Sequence, residues 1–401
     1  MQIPVFNLLY LLLIFYFPLS TFYLPLKKEP NMIKIISVFG TRPEAIKMAP
    51  VVKKLETCPY IDAKVCVTAQ HREMLDQVLQ LFSIKPDYDL DIMKSGQTLS
   101  DITCRVLKGI EEMLQVEKPD MILVHGDTTT TFSASLAAFY SGSAIGHVEA
   151  GLRSGNKASP YPEEMNRSLT GRLADLHFSP TEGNRKNLLE EGIDESIIRV
   201  TGNTVIDALL SVVDEEYIFE QEVLNSIGRD RKLVLLTSHR RENLGGPMEN
   251  IFRAARRIAD DDESVELVFP LHLNPKVRKI AIPILAGHER IHLIEPLDYQ
   301  PFANLIGRAC LVLTDSGGIQ EEAPALGKPV LVLRTETERP EAVSAGTVKM
   351  AGVEEEAIYK MAMELLQDQE AYKKMSRAVN PYGDGKASGR ILEAILARFK
   401  N

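Results

Sequence analysis

Ile33-Lys34-Ile35-Ile36-Ser37-Val38-Phe39 runs straight into Gly40-Thr41-Arg42-Pro43-Glu44-Ala45-Ile46-Lys47, and this junction decides the fold. The first seven residues form a short apolar, β-branched run that reads as a strand. Thr41 can cap the helix that follows, with Pro43 near its first position. A strand feeding directly into a capped helix is the repeating element of a parallel α/β layer. Similar runs recur at residues 63–68, 121–125, 144–148, 176–178 and 198–201, with amphipathic segments between them. A second series follows at 233–237, 265–270, 291–294, 311–314 and 330–333. Two doubly wound, Rossmann-like domains facing a cleft account for the length, the first over residues 32–201 and the second over 202–384. Ligands of such sheets bind beyond the carboxyl ends of the strands, so the residues just after each strand carry the functional information.

Composition narrows the function. Charged residues make up 25% and hydrophobic residues 45%, which excludes a disordered chain and a polytopic membrane protein. The net charge of −9 opposes attraction to polyanions, so nucleic acid is not an expected partner. Cys58, Cys66, Cys104 and Cys310 lack C-x-x-C spacing, and the histidines form no H-E-x-x-H, so no metal site is expected. The cysteine usage suits a reducing cytoplasm.

Residues 1–31 read differently. No side chain from Met1 to Leu26 is charged, and Leu8 to Phe17 is a continuous apolar run. A secretory signal would carry a basic n-region, which is missing here, and Pro18 and Pro25 interrupt the apolar stretch. An anchor would have Lys27 and Lys28 as its flanking cations, and only that case makes a membrane a partner. The simpler expectation is translation from Met32, with the extension outside the fold.

The strand ends are polar. Arg42 and Lys47 add positive charge to a helix start, which is a natural anion site. The loop is not G-x-G-x-x-G, so a dinucleotide cofactor is not expected. Asp127 follows His125-Gly126 and is either a helix cap or a chemical group. Glu149 ends an apolar strand, where a buried carboxylate needs a partner or a task. Glu163 and Glu164 open a helix after a proline-rich loop, where they also compensate the helix dipole. Asp127, Glu149 and Glu163 are expected to converge on one crevice, as acid-base chemistry requires. In the second domain His239 and Arg240 follow one strand, and Ser316-Gly317-Gly318 follows another, where backbone N–H groups can approach a diphosphate. Glu322, one helical turn further on, has the reach for sugar hydroxyls.

These motifs carry a resemblance. Gly40-Thr41-Arg42-Pro43-Glu44, Thr68-Ala69-Gln70-His71-Arg72, His125-Gly126-Asp127-Thr128, His147-Val148-Glu149-Ala150-Gly151-Leu152-Arg153, Pro162-Glu163-Glu164-Met165-Asn166-Arg167, Thr201-Gly202-Asn203-Thr204, His239-Arg240-Arg241-Glu242-Asn243, Ser316-Gly317-Gly318-Ile319-Gln320-Glu321-Glu322 and Glu338-Arg339-Pro340-Glu341-Ala342 occur in order. From Met32 to Lys400 the chain resembles the non-hydrolysing bacterial UDP-N-acetylglucosamine 2-epimerases. The resemblance implies a glycosyltransferase-B-like fold, with residues 385–401 forming a helix that returns to the first domain. It implies reversible conversion of UDP-N-acetylglucosamine to UDP-N-acetylmannosamine in the cytoplasm, through UDP elimination to 2-acetamidoglucal, without NAD or metal. It makes Asp127, Glu149, Glu163 and His239 catalytic, assigns Arg42, Lys47, Ser316, Gly317 and Gly318 to phosphate, and assigns Glu322 to ribose. Gln70, Arg240 and His272 match part of a second, activating UDP-N-acetylglucosamine site. A homodimer is also implied. A glycosyltransferase would share the Ser-Gly-Gly turn without needing three carboxylates in the first domain, and a hydrolysing epimerase would release free N-acetylmannosamine and UDP.

Overall fold

The computed structural model describes residues 32–69, 72–94 and 96–400. The apolar N-terminal extension and Gln70 therefore lie outside the described residues. The first sheet contains β1 (Ile33–Phe39), β2 (Ile61–Val67), β3 (Tyr88–Asp89), β4 (Met121–His125), β5 (Ala144–Val148), β6 (Leu176–Ser179) and β7 (Ile198–Val200). The second contains β8 (Lys232–Thr237), β9 (Val265–Pro270), β10 (Ile291–Ile294), β11 (Leu311–Thr314), β12 (Val330–Val332) and β13 (Val348–Met350). Their orders are β3-β2-β1-β4-β5-β6-β7 and β10-β9-β8-β11-β12-β13, with all pairings parallel. Both orders are doubly wound, with the switch point between β1 and β4 in one sheet and between β8 and β11 in the other.

Alternation along the strands builds the layers. Ile35, Phe39, Val65, Val67, Met121 and Leu123 face the helix Arg42–Glu56, while Ile36, Val38, Cys66, Ile122 and Val124 face the helices Leu99–Glu117 and Thr129–Ser141. Burial on both faces is why these strands read as continuous apolar runs. In the second sheet Val234, Leu236, Leu267 and Phe269 pack on the helix Gly246–Asp261, and Leu233, Leu235 and Val312 face the opposite core. The edge strands β3 and β13 are unmarked in the sequence: Tyr88–Asp89 is only two residues, and Val348-Lys349-Met350 is broken by a central lysine.

The chain passes between the two sheets at two adjacent places. Asn203 N–H donates to the Tyr382 carbonyl at 2.6 Å. Gly202 (φ +90°) lies so close that an added Cβ would stand 3.2 Å from Cα of Gly383, so side chains are excluded there. Beyond this crossing the helix Ala387–Phe399 buries Ile391 and Ile395 in the core formed by β1 and the helix Arg42–Glu56. Among the described residues no helix is long and apolar enough to cross a membrane.

Candidate active site

The first-domain half of the site begins at the β1–β4 switch point. Thr41 caps the helix Arg42–Glu56, and the buried Glu44 carboxylate reaches back in a capping box. One Glu44 oxygen accepts from Gly40 N–H (3.0 Å), Thr41 N–H (2.8 Å) and the Thr41 hydroxyl (2.9 Å). The other accepts from the Thr128 hydroxyl at 2.6 Å, which ties the loop after β1 to the loop after β4.

That arrangement settles the role of Asp127. The cap of the helix Thr129–Ser141 is Thr128, whose hydroxyl accepts from Thr131 N–H at 3.2 Å, so the Asp127 side chain is not needed for capping. Asp127 is held instead from the helix Glu163–Leu173. Asn166 Nδ2 donates to its carbonyl at 3.0 Å, and Arg167 pairs with its carboxylate. Burial is the largest influence on this carboxyl and, reinforced by nearby Glu149, raises it above the ordinary aspartate value despite Arg167.

Glu149 follows the adjacent strand β5 with φ +63°, a backbone conformation that non-glycine residues seldom adopt. The carboxylate is ion-paired with Lys47; His125 Nε2 stands 3.4 Å away and Asn203 Nδ2 donates at 3.3 Å. Desolvation pushes the carboxyl up, but Lys47 and His125 outweigh it and hold Glu149 well below the ordinary value. Lys47 is correspondingly raised: burial lowers it, and Glu149 more than compensates. The two central carboxylates are thus shifted in opposite directions.

Glu163 sits one turn before Arg167 at the start of its helix and lines neither of the two cavities described below. Its neighbour Glu164 is the buried one; it accepts from Ser154 N–H and Gly155 N–H, each at 3.0 Å, and lies 3.3 Å from Arg167. The structure therefore brings Asp127 and Glu149 together and leaves Glu163 at the margin.

The second-domain half lies opposite. A cavity of about 530 Å³ is lined by Arg42 and Lys47 from the first domain and by His239, His272, Ser316, Gly318, Glu321, Glu322 and Arg339 from the second. Its size suits a small-molecule ligand. Packing within the protein does not require glycine at 317 or 318, since an added Cβ would meet only Arg240 at 3.9 Å or Glu322 at 3.8 Å. What the two glycines preserve is bare backbone. Glu322 is pushed up to about 8 by burial and by neighbouring Glu321. His272 stacks on His239, with ring centroids 5.4 Å apart and planes 14° apart, and both line this cavity. Arg240 turns inward, its Nε donating to the Asp315 carbonyl at 3.3 Å.

A smaller cavity of about 250 Å³ abuts the first, is lined by Glu149 and Asn203, and shares Glu321 and Arg339 with it. Asn203 joins the two sides: Nδ2 also donates to Glu321 at 2.7 Å, and the other Glu321 oxygen pairs with Arg339. Sequence reasoning quoted the motifs containing Asn203, Glu321 and Arg339 but assigned these residues no role. The available signals were the position of Asn203 shortly after a strand, of Arg339 beside Pro340, and of Glu321 in the helix start that follows the Ser-Gly-Gly turn.

Two Rossmann-type domains with ionisable groups on both walls of the cleft define an α/β enzyme of glycosyltransferase-B-like architecture. The chain belongs to the UDP-N-acetylglucosamine 2-epimerase family, whose model matches residues 53–396. A Bacillus subtilis UDP-N-acetylglucosamine 2-epimerase is 58% identical over 367 residues, 92% of this chain and 96% of its own. A Listeria monocytogenes crystal structure superposes with a TM-score of 0.88 at 57% identity, covering 92% of this chain and 97% of that one. The Neisseria meningitidis UDP-GlcNAc 2-epimerase, solved bound to UDP-GlcNAc, gives a TM-score of 0.79 at 51% identity over 91% and 100% of the two chains.

The Lys47–Glu149 pair has a measurable signature. Because Glu149 is depressed, its stabilising contribution is complete above its unfolded value of 4.5 and is lost as the pH falls from there toward the folded value. Lys47→Met strands the carboxylate and is expected to destabilise the protein by about 3–5 kcal/mol at neutral pH. Thermal midpoints of wild type and variant should converge on acidification below 4.5; a gap that stays constant would show that the pair is not the cause.

Proposed function

We propose that the chain interconverts UDP-N-acetylglucosamine and UDP-N-acetylmannosamine by anionic elimination and re-addition of UDP. The observation that supports this reading is the placement of Asp127 and Glu149 after the neighbouring strands β4 and β5, with Glu149 paired to Lys47, a cation of the cavity that Ser316 and Gly318 also line. In the forward direction a carboxylate takes the C2 proton while the C1–O bond breaks, the electron pair leaves with UDP, and 2-acetamidoglucal remains. Protonation of C2 on the opposite face and return of UDP to C1 complete the change. The sequence is redox-neutral and atom-balanced. The opposed shifts favour Glu149 as the group that starts ionised and Asp127 as the proton carrier. Glu163, one turn before Arg167 on the helix that holds Asp127, is the third candidate carboxylate. Acid-base catalysis contributes only about 10²–10⁴-fold, so the departing UDP must be stabilised electrostatically by Arg42, Lys47, His239, Arg339 and the backbone of Ser316, Gly317 and Gly318. Arg240 and His272, together with Gln70, remain candidates for an activating second nucleotide-sugar site. The product would supply N-acetylmannosamine donors for surface polysaccharides from the cytoplasm.

Incubation with UDP-N-acetylglucosamine alone in D2O should produce the 2-epimer carrying deuterium at C2, read by NMR. A product without deuterium would exclude elimination, free N-acetylmannosamine would indicate a hydrolase, and inertness without an acceptor would indicate a glycosyltransferase. Asp127→Asn and Glu149→Gln should each lower kcat by about 10²–10⁴-fold with KM little changed. Glu322 adds a pH dependence. Its neutral form can donate to a ribose oxygen, and ionisation near about 8 places a negative charge beside UDP. UDP affinity measured by calorimetry should weaken as the pH rises through that value and stay flat in Glu322→Gln.

The implied homodimer also has a suitable face. Val116, Phe139 and Tyr140 are 74, 59 and 67% exposed at adjoining ends of the helices Leu99–Glu117 and Thr129–Ser141. Leu107, Leu114, Ala137 and Tyr140 line a groove at the same place. Such a patch is unusual on a monomer, and we infer that a second copy covers it. Tyr140→Glu should sediment as a monomer; an intact dimer would place the interface elsewhere.

A further inference from the structure

Asp315 is a buried carboxylate that the proposed reaction leaves without a role. It follows β11 directly and has no solvent exposure. β11 pairs with β8 through Thr314 and Thr237, so Asp315 lies beside the Ser238-His239-Arg240 turn. Its Oδ2 accepts from the Ser238 hydroxyl (3.0 Å), His239 N–H (2.9 Å), Arg240 N–H (2.9 Å) and Asn243 Nδ2 (3.2 Å). Those four donors shape the turn. The second oxygen, Oδ1, is buried without another donor among the described residues and faces Nδ1 of His239 at 3.2 Å.

That geometry constrains a proton. A buried carboxylate oxygen without a donor is costly, and an unprotonated Nδ1 would direct a lone pair at it. With hydrogen on Nδ1 the contact becomes favourable, and Nε2, on the far edge of the ring, is left for the cleft. The stacked neighbour is arranged the other way round. His272 Nδ1 accepts from Asn274 N–H at 3.0 Å and so carries no proton. Burial, followed by His239, keeps that imidazole below its ordinary value and therefore neutral. Of these two parallel imidazoles lining one cavity, His239 is the one with a carboxylate in direct contact, Asp315 at 3.2 Å.

We propose that Asp315 is a positioning residue for the reaction: it fixes the Nδ1–H form of His239, turns Nε2 toward the cleft, and balances the imidazolium that forms when Nε2 takes up a proton from water and holds it as Nε2–H against a departing diphosphate. His272 acts as a neutral plate that holds the ring plane. The proposal rests on the epimerase reading for the identity of the diphosphate but not for the tautomer.

Asp315→Asn is the discriminating substitution. Its amide oxygen can retain the four turn contacts while its NH₂ faces Nδ1, which reverses the imidazole tautomer as an aspartate-to-asparagine exchange does in a catalytic triad. Nitrogen-15 NMR of histidine-labelled full-length protein should show His239 as Nδ1–H in wild type and Nε2–H in the variant. The variant should lose about 10²-fold or more in kcat with KM for UDP-N-acetylglucosamine little changed. An unprotonated Nδ1 in neutral wild-type His239 would overturn the proposal even if the variant failed to fold. So would a reversed tautomer with unchanged kcat. Wild-type deuterium incorporation at C2 is the control: if it is absent, the reaction assignment has failed, while the tautomer measurement still stands or falls by itself.

Discussion

A single buried carboxylate gathers the loose backbone N–H groups at the switch point of each sheet, and both halves of the site depend on it. Parallel strands end with N–H groups that the ladder no longer satisfies, and a buried, unpaired donor is expensive. Glu44 collects those after β1 and reaches a hydroxyl after β4; Asp315 collects those after β8 from its own place after β11. The two groups arrive by different routes, Glu44 from the first turn of a helix and Asp315 from the end of a strand. In each case the bonded loop carries a candidate catalytic neighbour, Asp127 next to Thr128 or His239 within the turn itself. For His239, holding the turn and aiming the side chain are one event, whereas Asp127 is aimed from the helix Glu163–Leu173.

Two ion pairs linked through one neutral amide then join the two halves. Lys47 pairs with Glu149, Asn203 bridges Glu149 and Glu321, and Glu321 pairs with Arg339. Asn203 uses its remaining polar groups at the chain crossing: Oδ1 accepts from Val205 N–H and its own N–H bonds to Tyr382. Both terminal cations line the larger cavity. An anion entering there competes for Lys47 and Arg339, and any movement of Lys47 alters the environment of Glu149. Ligand binding and the basicity of that carboxylate are coupled through one contact.

Much of this was legible in the sequence, for identifiable reasons. Strands buried on both faces print continuous apolar runs, so the central members of both sheets and the polar residues after them could be marked. The edge strands Tyr88–Asp89 and Val348–Met350 left no such run, the first being two residues long and the second interrupted by Lys349. Adjacent identical residue types were harder still. Glu163 and Glu164 differ only in which side of a helix they occupy, and the structure buries Glu164 against backbone amides while Glu163 stays at the edge. Asp127 could be read as a helix cap or as a chemical group, and the structure gives the cap to Thr128, whose hydroxyl accepts from Thr131 N–H. Asn203, Asp315 and Arg339 acquire their roles only from partners that the sequence places far away.

The opposed behaviour of Asp127 and Glu149 shows how two similar acids on neighbouring strands are made different. β4 and β5 are in register up to His125 and Val148, so the two carboxylates emerge side by side, with Glu149 the more buried: its side chain is 12% exposed against 26% for Asp127. Each has one cation, Arg167 for Asp127 and Lys47 for Glu149. What separates them is the additional company of Glu149: the His125 imidazole and the Asn203 amide both face its carboxylate, whereas Asp127 has the negative charge of Glu149 itself nearby. Ionisation of one therefore opposes ionisation of the other, which is the condition under which a pair divides into a proton acceptor and a proton donor. Because an epimerisation must take a proton on one face of a carbon and return one on the other, that division is what the proposed reaction would ask of Asp127 and Glu149.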